Sequence, residues 1–468
     1  MTLQITSGRA ATLAAAGTQN YPIIAWDNLG AAGTVFSSGT VPSSNPDTNA
    51  FTGSTYDTWE SAPVNDDVTI GATFAAATTI NFMALAAHSL ADVGAGVVAQ
   101  AIGATRTNLH LRSQDFSTGW VVNSGTYSAL TDAALQSPFG GTTAGSFLCS
   151  TTDNVTRAVR ASANITVSAS TAYTASIFVK ALNWTWIGVA LAEGSALSAF
   201  AAAGRVNLST GATTLQAGTA ITATDYGNGW WRISITGTTS AATGYRLNVT
   251  LLDADEGVGQ TAVGVVGAGV YIWGAQLESG TTLSSYLPTV SASVTNNYHD
   301  VGLPIIPEAD DPLAWYFADT STTGYRFRIY STAGAPGAVG VGVAFIGAVM
   351  TMDRPFYQGY APIIRPTEVD LQSNVSAGGH LLGSAVVKRG SRLQMDFANL
   401  SDSFVRGDDF AGFMEHFNEG GAAFVAWRPT KYPDDLHYFW RDGATIRPTN
   451  SGPKALMGLT IEGRVYEG

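Results

Sequence analysis

The strongest constraint on this chain is a repeated apolar–polar alternation with a period of two, broken at short intervals by turn-forming clusters. In Tyr173–Lys180 one face carries Tyr173, Ala175, Ile177 and Val179, and the other carries Thr174, Ser176, Phe178 and Lys180. Trp231, Ile233 and Ile235 alternate with Trp230, Arg232 and Ser234, and a third run spans Val270–Leu277. Successive side chains of an extended strand point to opposite faces, so the pattern describes strands buried on one side. The clusters at 207–211 (Asn-Leu-Ser-Thr-Gly) and 225–229 (Asp-Tyr-Gly-Asn-Gly) supply the Asn, Asp and Gly that tight turns need. Several short strands at this spacing predict a β-sandwich or jelly roll, and an all-β chain overall.

Composition agrees. Only 12% of the residues are charged, about half the usual share of roughly 25%. The 52 glycines, with abundant Thr, Ser and Ala, suit pleated surfaces and many turns. At about 150 residues per domain, 468 residues predict about three domains. A formal net charge of −12 argues against a nucleic-acid binder, which needs a basic stripe to neutralise phosphates. It also argues against docking on anionic lipid. Uncharged glycans remain natural partners, because they are held by stacking and hydrogen bonds. The single cysteine, Cys149, allows no disulfide within the chain. No basic stretch followed by an apolar run opens the sequence, so no signal peptide is expected. No apolar run reaches about 18 residues, so no membrane insertion is expected and the chain should fold in a cytoplasm.

Three regions differ in texture. Residues 1–105 are acidic and turn-rich, 107–290 hold the strand patterns, and 350–468 hold roughly half of the Lys and Arg. One helix is predicted near 408–418. Phe410, Phe413, Met414 and Phe417 share one face at i, i+3, i+4 and i+7. Asp408 or Asp409 would cap its start and Gly420-Gly421 would close it. This aromatic stripe reads as core packing.

The middle region resembles a carbohydrate-binding-like jelly-roll module of bacteriophage tail proteins. The residues that carry the resemblance are 108–116 (Asn-Leu-His-Leu-Arg-Ser-Gln-Asp-Phe) with Trp120, then 177–180, 207–211, Gly227–Arg232, Tyr271–Glu278 and Ser284–Thr289, in family order. The N-terminal region is similar to a discoidin-type sandwich of phage proteins, through Tyr21–Leu29, Thr55–Trp59 and Ile80–His88. The elements that would finish that sandwich, Gly324–Ile329 and Gly342–Gly347, lie some 230 residues downstream. This resemblance implies a discontinuous discoidin-like sandwich (1–105 plus 300–350) with the jelly roll (107–290) inserted at surface loops, where insertion is tolerated. Gly378–Gly383, Phe424–Pro429, Tyr432–Asp434 and Arg447–Asn450 resemble the last domain of the same phage proteins, which implies a β-rich tail-assembly domain at 351–468.

No catalytic motif is present: no Gly-x-Ser-x-Gly elbow, no phosphate-binding loop, no His-Glu-x-x-His. The six histidines (88, 110, 299, 380, 416, 437) have no zinc-ligand spacing. The carboxylate clusters Asp66-Asp67, Asp253/Asp255/Glu256, Asp310-Asp311 and Asp408-Asp409 all sit in turn-like sequence and read as solvated loops and caps. Asp253, Asp255 and Glu256 are also a candidate calcium site, since hard cations want clustered oxygens, though EF-hand spacing is absent. Carboxylates distant in sequence can still meet, so hydrolysis of polysaccharide stays an open alternative.

Sugar binding would rest on aromatics, whose faces stack on the apolar side of a pyranose ring. Trp184 and Trp186, two apart, would share one face of a strand. Phe178, Tyr245 and Arg246 would add surface and a polar clamp. Core packing and sugar stacking are both open to the two tryptophans, and burial separates them. Trp120, Trp230, Trp231 and Trp273 read as core. In the first sandwich, Tyr56, Asp57 and Trp59 lie where relatives place a ligand or calcium, or are ordinary loop residues. The resemblance implies a non-enzymatic phage tail-tip, baseplate or fibre protein in the virion, assembled in the host cytoplasm. It would contact other tail proteins, bind host surface glycan, and form a homo-oligomer, a trimer or hexamer. The alternatives are a purely structural tail protein with docking jelly rolls, or a depolymerase.

Overall fold

The computed structural model describes residues 2–38, 44–61, 67–123, 125–194, 198–332, 337–355, 363, 368–451 and 456–467. Asp66, half of one carboxylate pair, lies outside them. Strands dominate, and helices are few and short. None is long and apolar enough to cross a membrane among the described residues. The chain divides into two compact units. One comprises Met1–Ile102, Asp300–Ser331 and Ala335–Gly468; the other comprises Gly103–His299 with Thr332–Gly334.

The first unit is built on two long strands, Val68–His88 and Leu313–Ser331, paired antiparallel. Gly340–Gly347 pairs with the other side of Val68–His88, so the downstream segments complete a sheet begun by the N-terminal region. Register breaks at Tyr316/Thr320 and Thr322/Gly324 bend both strands. The bend switches the inward parity: Ile70 and Ala72 face the same core as Met83 and Leu85. The Tyr325 hydroxyl ties the bend, lying 2.6 Å from the carbonyls of both Thr78 and Thr320.

A second sheet stands against the first. Its order is Met350–Thr351, Ile23–Ala25, Ala422–Ala426, Leu436–Arg441, Leu456–Val465, Leu381–Ser401, Glu368–Val375. Phe82, Phe345 and Phe424 meet between the two sheets at 5.8–6.2 Å. On its far face lies the expected helix, Asp408–Asn418, with Phe410, Phe413 and Phe417 buried. Gly407, not an aspartate, is the N-cap, and Asp408 and Asp409 occupy the first turn, where they favour the positive helix end. Gly420 closes the helix at φ 98°.

A separate domain at 351–468 is corrected by this sheet. Ile23–Ala25 pairs with Phe424–Ala426, so an N-terminal strand is central to the C-terminal sheet. The physical reason is that this strand is buried on both faces. Ile24 packs toward the helices, while Ile23 and Ala25 pack toward the first sheet. The helix Ser7–Ala16 has no signature in the sequence. It buries only Leu13, so it has no apolar stripe to read.

The second unit is a sandwich of two antiparallel sheets, ordered through Phe200–Asn207, Trp186–Glu193, Gly244–Leu252 and Arg157–Ala161 in one, and Trp230–Thr238, Ala172–Leu182, Gly269–Ser279 and Ala144–Cys149 in the other. Ala175, Ile177, Val179, Ile233, Ile235, Val189 and Val249 form its interior. The face of Ala172–Leu182 turned away from that interior is also closed, by an aromatic cluster of Phe139, Phe178, Trp273 and Tyr286.

Candidate functional site

The inserted unit does not assemble the expected sugar platform. Trp184 is buried in the sandwich core, with its indole Nε1 donating to the Leu252 carbonyl at 3.0 Å. Trp186 opens a strand on the opposite face and is half-buried. The two do not share a face because Trp184 and Thr185 lie outside any strand and the strand starts only at Trp186, so period-two alternation does not link them. Phe178 is fully buried, in edge contact with Tyr226, Trp273 and Tyr286 at 4.9–5.7 Å. Tyr245 is core as well, its hydroxyl accepting the Ser240 amide at 2.8 Å. Arg246 is half-buried and committed to Asn164 Oδ1 at 2.7 Å.

Two of the three candidate cation ligands are engaged elsewhere. Asp253 Oδ2 accepts the Val263 amide at 2.8 Å, and Asp255 pairs with Arg205. Glu256 is exposed. Among the described residues, no group of three or more His, Cys, Asp or Glu is placed to hold a metal.

A cleft lies in the first unit, lined by residues of both of its sheets. It measures about 670 Å³, within the range of ligand-binding clefts. Its floor is Val343 and Phe345 of one sheet with Ala422, Tyr438 and Trp440 of the other. Trp440 follows Tyr438 by two along the strand Leu436–Arg441, so period-two geometry turns both toward the cleft. Trp26, just past the strand Ile23–Ala25, forms one wall. Its Nε1 donates to Asp409 Oδ1 at 3.1 Å, and its ring lies 5.7 Å from that of His416. Gly412 allows the close approach, since a Cβ there would stand 2.7 Å from the indole. Trp26 and Trp440 are both half-buried.

The other wall is the loop Thr52–Thr55, which leads directly into Tyr56, Asp57 and Trp59. The Tyr438 hydroxyl donates to the Gly53 carbonyl at 2.7 Å, and burial holds that phenol well above the usual tyrosine range, so it stays a proton donor. The Ser54 hydroxyl accepts the amides of Tyr56 and Asp57, both at 3.2 Å. That turn leaves Tyr56 91% exposed and Asp57 exposed beside the wall. Trp59 is corrected to core: it is fully buried, paired with Val341.

Polar groups ring the aromatics. His416 Nε2 lies 3.0 Å from the Ala422 carbonyl, which can only accept, so Nε2 carries the proton and Nδ1 is the acceptor of the neutral ring. Thr52, Ser54, Thr55 and Asp27 complete the rim. Asp27 is the only carboxylate among the described lining residues. The cleft can therefore stack a planar apolar face and hydrogen-bond hydroxyls around it. Sequence reading missed Trp26, Trp440, Tyr438 and His416. The alternation of Leu436, Tyr438 and Trp440 is visible in the sequence, but nothing local ties it to residue 26.

No family model matches the chain, and no curated protein matches it. Among the solved structures to which the chain is similar, three each match over 39% of it. One holds the CBM22-1–GH10 modules of a Clostridium thermocellum endo-1,4-beta-D-xylanase complexed with xylohexaose (11% identity, TM-score 0.21). Another is an arabinose-bound GH51 α-L-arabinofuranosidase (16%, TM-score 0.24). A third is a cleaved adhesin domain of the Lys-gingipain of Porphyromonas gingivalis W83 (12%, TM-score 0.22). The match spans 29% and 27% of the first two chains and 100% of the adhesin domain.

Proposed function

We propose that this chain is a non-catalytic, glycan-binding structural component of a bacteriophage tail tip, baseplate or fibre, engaging host surface carbohydrate during adsorption. The tail setting is supported by the resemblance of 108–289 to a phage jelly-roll module and by the separate resemblances of the flanking regions to other phage modules. Glycan binding is supported by one observation above the rest: an open cleft walled by Trp26 and floored by Trp440, with hydroxyl, imidazole and carboxylate groups on its rim. This moves the proposed site from the inserted unit to the first one. A spacer or docking role for the inserted unit is favoured by the burial of Trp184, Phe178 and Tyr245. Binding without hydrolysis is favoured by the single lining carboxylate, because glycoside cleavage by the common route uses two.

The test is the full chain on a glycan array, followed by titration of any retained glycan against wild type and Trp440→Ala. Loss of at least about tenfold in affinity, about 1.4 kcal/mol, is expected for the variant. No retained glycan, or equal affinity of the two proteins, overturns the reading and leaves the purely structural one. Mass spectrometry of purified particles tests the tail setting.

A further inference from the structure

The strand Leu381–Ser401 is two structures in one. Its second half, Ser391–Ser401, pairs with Leu456–Val465 inside the second sheet of the first unit. Its first half pairs with Glu368–Val375 alone among the described residues. The result is a two-stranded hairpin that runs on past the sheet, closed by a turn in which Gly379 sits at φ 82°.

Opposed residues of an antiparallel pair share a face. Leu371 stands opposite Val386, and Val375 opposite Leu381. Val369, Leu371 and Val375 alternate along one strand, so these five side chains gather on one side. Gln372 and Asn374 take the other, opposite Ala385 and Gly383. Leu382 is the extra residue of a bulge beside Leu381. The hairpin is thus amphipathic, yet nothing among the described residues covers its apolar side. Val369, Leu371, Val375, Leu381, Leu382 and Val386 are 43–69% exposed. A lone hairpin is marginally stable in water, and chains seldom leave so many neighbouring aliphatics uncovered without a partner.

We propose that this apolar face is a self-association surface, and that what covers it is the same face of a second copy of the chain. The six residues leave about 600 Å² uncovered per copy, so two copies facing one another would bury about 1,200 Å², the lower bound of a specific interface. From Leu371 to Leu381 the face carries no charged residue, with Ser373 opposite Ser384 in its middle, while Arg389 is paired with Val369 at its edge. A two-fold contact requires only that one patch match itself. A chain of net charge −12 repels its copies elsewhere, so an uncharged patch is where contact costs least.

The test uses the full chain in sedimentation at rising concentration, comparing wild type, the double variant Leu381→Asp with Leu382→Asp, and the independent variant Val375→Lys. Wild type should show a concentration-dependent oligomer, and both variants the mass of one chain with an unchanged melting temperature. Ser373→Cys, placed between Leu371 and Val375 on the same face, should cross-link two copies through a short bismaleimide, whereas native Cys149 is buried. A wild type that stays monomeric, variants that keep the wild-type mass, or no cross-link would each overturn the proposal. Glycan binding by monomeric chain would be untouched by any of these results.

Discussion

His110 offers a sharp test of how the second unit is packed. Its ring stacks on Trp120, 5.1 Å between centroids and 25° between planes, and among the described residues neither ring nitrogen has a hydrogen-bond partner. Burial pulls its pKa from 6.5 down to about 4, because no partner stabilises the imidazolium. The unfolded chain takes up this proton near pH 6.5 and the folded chain only near 4, so acid between those values favours unfolding. The stability is therefore fully present above the unfolded value and declines as pH falls through the window. Each tenfold difference in proton affinity between the two states is worth about 1.4 kcal/mol, so this residue alone should cost about 2 kcal/mol between pH 7 and pH 5, and about 3 kcal/mol by pH 4. His110→Phe keeps an aromatic ring against Trp120 and removes the titration. Urea unfolding followed by tryptophan fluorescence at pH 7 and pH 5 should give wild type a loss about 2 kcal/mol greater than the variant's, whatever carboxylates elsewhere contribute to both. Equal losses in the two proteins would refute the reasoning and mean that the ring finds a partner when protonated.

Two further outcomes follow from burial and close contact. Trp184→Ala should destabilise the second unit by about 3–5 kcal/mol in thermal unfolding while leaving any glycan affinity of the full chain unchanged, since the indole is core. Gly71→Ala should lower the unfolding midpoint of the first unit by several degrees, because its Cβ would stand 2.2 Å from the Tyr325 carbonyl at the strand pairing that carries the bend.

What is legible in the sequence follows the range of the physical signal. Period-two runs such as Tyr173–Lys180 are local, and their inward faces match the pattern: Ala175, Ile177 and Val179 are interior. The Phe410/Phe413/Phe417 stripe is equally local and forms a buried helix face. The alternation rule fails at Trp184 and Trp186 because Trp184 and Thr185 lie in a short connection outside any strand, and nothing in the local pattern marks where the strand begins. It also fails at Phe178, whose face is polar by pattern but is closed by residues 139, 273 and 286 from elsewhere. The Tyr56–Trp59 segment adjoins the loop that walls the cleft, but its tryptophan does not line it. Trp59 is inward by its pairing with Val341, while the cleft takes its indoles from residues 26 and 440, joined only through the pairing of Ile23–Ala25 with Ala422–Ala426.

The cleft and the hairpin bear on each other through affinity. An open site with two half-exposed indoles buries little of a sugar, and association costs absorb much of what it gains, so one copy should bind weakly. Weak sites become useful on a glycan-dense surface when copies are held together, because each further binding event is then intramolecular. The exposed aliphatic side of 369–386 is the surface proposed to hold copies together, and it lies on a two-stranded extension whose described residues contribute nothing to the core around the cleft. Separating them is therefore feasible: charge placed at Leu381 and Leu382 should leave binding of a soluble glycan unchanged and sharply reduce retention on a densely coated surface. If retention on that surface survives in a protein that has become monomeric, weak sites gathered by the hairpin are not what holds it there.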